Sequence, residues 1–233
     1  MDAAPCETNL TGIVRDFRAY DQGGHPDFEN KFLKSGLTTG LVEQNLGSDF
    51  KPVPSNLADT GGQITSKMTF NQWYRDTPGV NLSTTWTLPI VPVPGQVVTY
   101  AAIYDPSNPA TSGFFPIDGQ LFGNYPNPDS LHNYHFTFEL HTTFLYQGGE
   151  IFTFYGDDDL WVFINGKLAV DLGGLHPPAS GSADLDALAG SFGLVTGQTY
   201  PLDLFNAERN KWGSTFQVQT SIGFNNCQPI LIY

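Results

Sequence analysis

From residue 84 onward, apolar and polar positions alternate in short runs. The clearest run is His135 to Phe144: Phe136, Phe138, Leu140 and Phe144 take one face, and His135, Thr137, Glu139, His141 and Thr143 take the other. Thr199 to Phe205 turns Tyr200, Leu202 and Leu204 inward, and Thr215 to Ile222 does the same with Phe216, Val218 and Ile222. Further strands are predicted over Leu10 to Phe17, Thr84 to Leu88, Val97 to Tyr104, Phe114 to Gly119 and Ile151 to Tyr155. Trp161 to Ile164 is apolar at every position, which predicts an inner strand covered on both sides. Asn165-Gly166 then supplies the two positive φ angles of a type I′ hairpin, with Leu168 to Leu172 returning. Helical turns are predicted only over Phe28 to Leu33, Phe70 to Asp76 and Asp184 to Ala189. Residues 36–67 read as a long surface excursion and residues 173–182 as a loop. Strands at intervals of about 8–15 residues with no long helix between them predict an all-β, antiparallel β-sandwich. No repeat or linker interrupts the pattern, so residues 1–233 are taken as one domain.

Composition adds an acidic balance. The formal net charge is −13 and the sequence pI is about 4.4. No basic patch is present, which argues against nucleic acid or an anionic membrane as partner. No apolar run approaches transmembrane length, so no membrane insertion is expected. The acidity suits cation binding and solubility equally. Few Lys and Arg, an all-β profile and two cysteines near the ends indicate an exported protein, secreted or at the cell surface. The start, Met1 to Pro5, reads as a trimmed mature end behind an initiator Met. Cys6 precedes the first predicted strand and Cys227 follows the last. In a sandwich those strands can lie side by side, and a disulfide needs Cα atoms about 4.4–6.8 Å apart. One intramolecular Cys6–Cys227 bond is expected, with pairing to another chain or two free thiols as alternatives. Asn9-Leu10-Thr11 and Asn81-Leu82-Ser83 are glycosylation sequons, relevant in a eukaryotic host.

Candidate chemistry concentrates in Gly156-Asp157-Asp158-Asp159, at the entrance of the apolar strand. At an effective dielectric near 20, two like charges about 4 Å apart repel by about 4 kcal/mol. Lys167 is the nearest cation in sequence. Either the acids fan out into water or they hold a cation. The spacing is not that of an EF-hand. A zinc site fares poorly, because His135 and His141 stand roughly 20 Å apart on an extended strand and His132 has no cysteine partner. Carboxylate pairs among Asp118, Glu139, Glu150, Asp157 and Glu208 are unavoidable in so acidic a chain, and no nucleophile elbow occurs, so no enzyme is expected. Trp161 reads as core. Trp212, in a polar loop, is the candidate for stacking on a ligand.

Several pieces in order resemble the fibro-slime family, a branch of the anthrax-protective-antigen-like β-sandwich domains. They are His25-Pro26-Asp27-Phe28-Glu29, Gln72-Trp73-Tyr74, Phe114-Phe115-Pro116-Ile117-Asp118, His132-Asn133-Tyr134-His135-Phe136-Thr137, the stretch Gly156 to Gly166, Asp171 to His176, and Ala207-Glu208-Arg209. The resemblance implies a jelly-roll sandwich of extracellular type. It also implies kinship with calcium-dependent lectins and adhesins, in which two consecutive aspartates joined by a cis peptide hold calcium. A second loop adds ligands there, and vicinal sugar hydroxyls complete the shell. With the family's hairpin glycine set on Gly166, its aspartate pair falls on Asp157 and Asp158, and Asp159 replaces the usual glycine. Which two acids ligate stays open. The second loop would supply Asn206, Glu208 and Asn210, with Asp157, Asp158, Asn210 and Trp212 facing the sugar. His25 and His176 would buttress loops. The function implied is a calcium-dependent carbohydrate-binding adhesion module. The alternative is a matrix or surface-fibre protein that binds protein partners and uses calcium only to stiffen the fold.

Overall fold

The structure, a computed structural model, describes residues 9–89, 97–126 and 131–224. In chain order its strands are β1 (Asn9–Phe17), β2 (Asn81–Pro89), β3 (Val98–Ala102), β4 (Phe136–Leu145), β5 (Ile151–Gly156), β6 (Asp159–Ile164), β7 (Lys167–Leu172), β8 (Ala179–Asp184), β9 (Thr199–Glu208) and β10 (Phe216–Thr220). Among the described residues three short α-helices, α1 (Asn56–Thr60), α2 (Lys67–Phe70) and α3 (Leu185–Phe192), and one 3-10 turn, Tyr20–Gln22, accompany them. The strands form two antiparallel sheets, ordered β2-β1-β4-β9-β6-β7 and β3-β10-β5-β8. Alternation dictates the interior. Phe136, Phe138, Leu140 and Phe144 of β4 meet Leu160, Val162 and Ile164 of β6, Leu202 and Leu204 of β9, and Phe152, Phe154, Phe216 and Val218 of the smaller sheet. Each such aromatic or branched side chain contributes about 1.5–3 kcal/mol by leaving water.

The other face of the larger sheet is covered too. Trp161, Phe163, Phe205 and Ala207 pack against Phe28, Leu41, Val42, Ala58, Ile64, Phe70, Trp73 and Tyr74. The expected inner strand is therefore present. The segment expected to be a surface excursion is instead a cover with its own buried side chains. That cover also buries the polar face of β4. Glu139 accepts hydrogen bonds from Arg15 (2.5 Å), from Lys51 and from His141 Nε2 (2.6 Å), and His141 Nδ1 donates to Asp203 (2.6 Å). Burial by itself would raise the Glu139 carboxyl, but the His141 bond and the Arg15 and Lys51 charges hold it down to about 2. His132 bonds Asp118 and the Pro109 carbonyl, and His135 faces Glu29 at 3.4 Å. Each of these histidines thus has its own partner.

The hairpin expectation holds: Asn165 (φ 51°) and Gly166 (φ 73°) both have positive φ, and Ile164 pairs with Lys167. Three local expectations do not hold. Phe114 to Gly119 forms turns that bury Phe114 and Ile117 without strand pairing. Phe28 to Leu33 is turn rather than helix, with Glu29 at φ 52° and its NH bonded to the Arg209 carbonyl. Ala179 to Ser182, read as the end of a loop, belong to an edge strand, Ala179–Asp184, paired along β5. Cys6 and Cys227 lie outside the described residues. The first and last strands, β1 and β10, stand in different sheets rather than side by side. Asn81 is buried, its amide bonded to the Gln72 and Arg75 carbonyls and the Thr77 NH, so that sequon is closed in the folded chain.

Candidate functional site

β5 belongs to the smaller sheet and β6 to the larger, so Asp157 and Asp158 form the whole link between them. The turn begins at Gly156, where an added Cβ would lie 2.1 Å from the Thr215 carbonyl oxygen. The Asp157–Asp158 peptide is cis, as the lectin resemblance implies. The three carboxylates are tied to three other segments, with Arg209 shared by two of them. Asp157 Oδ1 accepts from the Thr215 NH (2.5 Å) and Asp158 Oδ2 from the Arg209 NH (3.1 Å). Asp159 accepts from the Gly174 NH (2.5 Å) and from Arg209 Nε (2.7 Å).

β9 runs on to Glu208, three residues past its expected end. Asn206 and Glu208 continue the face of Leu202 and Leu204 and so emerge at the end of the intersheet core. Here the expected ligands divide. Asp157, Asp158, Glu208, Asn210 and Trp212 line one open pocket of about 380 Å³ together with His176 and Pro177. Asp159 is not on that wall, because its carboxylate is spent on Arg209 in the interior, both side chains being fully buried. Asn206 is not on it either; its amide donates to the Asp159 carbonyl (3.0 Å) and bonds the Asp157 carbonyl at 3.5 Å, holding the aspartate turn in place. Lys167, the nearest cation in sequence, turns away to the Ser191 carbonyl. Arg209 does the neutralising, fifty residues downstream of Asp159.

The electrostatics of the pocket are those of crowded acids. Burial pushes Asp157 up to about 7 against the Thr215 hydrogen bond, and the Asp158 charge adds to the rise. Burial also takes Asp158 to about 7, opposed by Arg209 and reinforced by Asp159. Glu208 is raised well above the carboxylate range by burial and then by the Asp158 and Asp157 charges. Its Oε1 accepts from the Asn210 NH (3.2 Å), and that bond and the Ser214 side chain work against the rise. All these donors are oxygens. Both ring nitrogens of His176 are turned to carbonyls, of Pro177 (2.8 Å) and Leu172 (3.3 Å), which is the buttressing expected of it. Oxygen donors with no sulfur or free imidazole suit a hard cation such as calcium. Among the described residues, no group of three or more His, Cys, Asp or Glu is arranged to hold a metal ion by itself. The three acids share a wall without converging on one point. Trp212 stands beside them with 79% of its surface exposed.

The fold is thus a two-sheet antiparallel β-sandwich with paired aspartates in the turn that joins its sheets. The chain belongs to the PA14 domain family, whose pattern it matches over residues 105–230, more than half its length. It is 40% identical to protein psiQ of Dictyostelium discoideum over 92% of this chain and 22% of psiQ. It is 38% identical to protein psiD of the same organism over 91% of this chain and 42% of psiD. The chain thus spans less than half the length of either relative. Among solved structures it is similar to the PA14 sugar-binding domain from an RTX adhesin, at 11% identity and a TM-score of 0.35, over 94% of this chain and 97% of that one.

Proposed function

We propose that this PA14 domain is a calcium-dependent carbohydrate-binding module of the fibro-slime branch, acting outside the cell or at its surface and binding rather than transforming its ligand. The observation that carries the reading is the gathering of the buried Asp157, Asp158 and Glu208 carboxylates, all raised, along one pocket. Three carboxylates with raised pKa values in one pocket call for a positive charge. Asp157, Asp158 and Glu208, with the Asn210 amide, would hold calcium; the ion would supply charge compensation and a point to which hydroxyl oxygens bind. Calcium takes six to eight oxygens, more than these side chains provide, so ligand hydroxyls complete the shell. Trp212 offers its face to the ligand's apolar side. Calorimetric titration is expected to show calcium binding that Asp157→Asn or Asp158→Asn weakens by at least tenfold, and a glycan array is expected to show binding that a chelator abolishes. Calcium affinity unchanged in both variants would overturn the site. Calcium binding with a silent array would leave the matrix-protein alternative, in which the ion only stiffens the fold.

A further inference from the structure

A second groove, of about 540 Å³, adjoins the acidic pocket and shares Ser35, Leu175, Asn210 and Trp212 with it. Three aromatic side chains line it with much of their surface in solvent: Tyr20 (41% exposed), Phe32 (75%) and Trp212 (79%). A single exposed aromatic needs no explanation; three along one groove that adjoins a ligand pocket do. Phe32 is held out by a pinned loop. Asn30 Nδ2 donates to the Pro26 carbonyl (2.7 Å), Asn30 Oδ1 accepts from the Phe32 NH (3.0 Å), and the Lys34 NH reaches the Gly62 carbonyl (2.7 Å). The same loop is anchored through Glu29 NH to the carbonyl of Arg209, whose own NH binds Asp158. Groove and pocket are therefore fixed to each other, and a ligand spanning both meets little ordering cost on the protein side.

The formal charges of the groove cancel in number: Arg209 is paired with Asp159, and Asp21 and Glu29 are matched by Lys211 and by Lys31, whose ammonium lies 5.4 Å from the Phe32 ring centroid. Asp21 is bonded by the Tyr125 hydroxyl, and Glu29 pairs with Lys211 (3.5 Å) and His135. Aromatic faces with polar groups at their edges suit sugar rings, which present C–H faces and peripheral hydroxyls. We propose that this groove binds the second and later units of an uncharged oligosaccharide whose first unit occupies the Asp157–Asp158 pocket. The inference rests on the carbohydrate reading above.

The test is calorimetry on the calcium-loaded protein with galactose, glucose, mannose and N-acetylglucosamine, and with the two- to four-unit oligomers of each. The expected result is that one oligomer series binds at least tenfold tighter than its monosaccharide. Phe32→Ala should remove that gain while leaving the monosaccharide Kd and the calcium Kd unchanged, and Tyr20→Ala should reduce it. Equal affinity for monomer and oligomers, or a gain that survives both substitutions, would overturn the groove assignment and leave the pocket reading standing. If no sugar binds the calcium-loaded wild type, the pocket reading itself falls and takes the groove with it.

Discussion

Three consecutive aspartates have three different environments, and substitution should separate them. Asp159 and Arg209 form a fully buried ion pair. Removing one partner of such a pair leaves a buried charge uncompensated, so Asp159→Asn is expected to cost about 3–5 kcal/mol, measured by denaturant unfolding. Asp158→Asn should act in the opposite sense in metal-free protein. Asp157 and Asp158 titrate near 7 when folded, against the ordinary 3.8. The folded chain therefore binds more protons than the unfolded one between those values, and their contribution lowers stability as pH rises from about 4 to 7. Melting in chelator from pH 5 to pH 8 should show a falling wild-type Tm and a flatter Asp158→Asn curve. At pH 8 the variant is expected to melt about 2–4 °C higher for each kcal/mol relieved; a variant curve parallel to wild type would contradict this. Calcium should reverse the order. The acid triplet was legible in the sequence as a charge problem. Its solution was not, because Arg209 is fifty residues from Asp159 and only the pairing of β6 with β9 brings them together.

At the scale of elements, close backbone approach decides what the site tolerates. β5 ends at Gly156 against the Thr215 carbonyl and the Phe154 ring. Gly156→Ala is expected to cost about 1–3 kcal/mol through overpacking and to weaken calcium binding, since Thr215 also supplies the NH that fixes Asp157. Gly190→Ala is the matched control: it lies inside α3, nothing comes within 4 Å of its added Cβ, and alanine there should stabilise by about 0.5–1 kcal/mol. Equal effects in the two variants, read by thermal melts and calcium titration, would count against this account. The same closeness explains why β8 was unreadable. At Gly181 a Cβ would lie 2.6 Å from Val170 of β7, so the strand is built of small residues and carries no apolar alternation. Phe114 to Gly119 failed in the other direction: its aromatics suggest a strand, but no neighbour pairs with it, and Phe114 instead stacks on Phe216 at 4.5 Å.

At the scale of the whole molecule, both described ends approach one end of β4. Phe224 bridges Phe144, and β1 runs antiparallel to β4 with Ile13 opposite Glu139, which sends Asn9 the same way. Cys6 and Cys227 lie outside the described residues. A Cys6–Cys227 disulfide stays the expectation drawn from the sequence. Non-reducing mass spectrometry should find a peptide pair joining Cys6 to Cys227 within one chain; two alkylatable thiols in the native protein would refute it. The sequence by itself determined the all-β sandwich, the two-sided inner strand, the Asn165-Gly166 hairpin and the place of the acidic turn, because period-two alternation, a continuous apolar run and positive-φ turn residues are local signals. Only the tertiary structure decided that residues 36–67 cover a sheet, that Asp159 and Asn206 support the turn while Asp157, Asp158, Glu208 and Asn210 face the pocket, and that a groove from residues 20–35 adjoins it. Those outcomes depend on which distant segments share a space, and burial, charge pairing and packing act through space rather than along the chain.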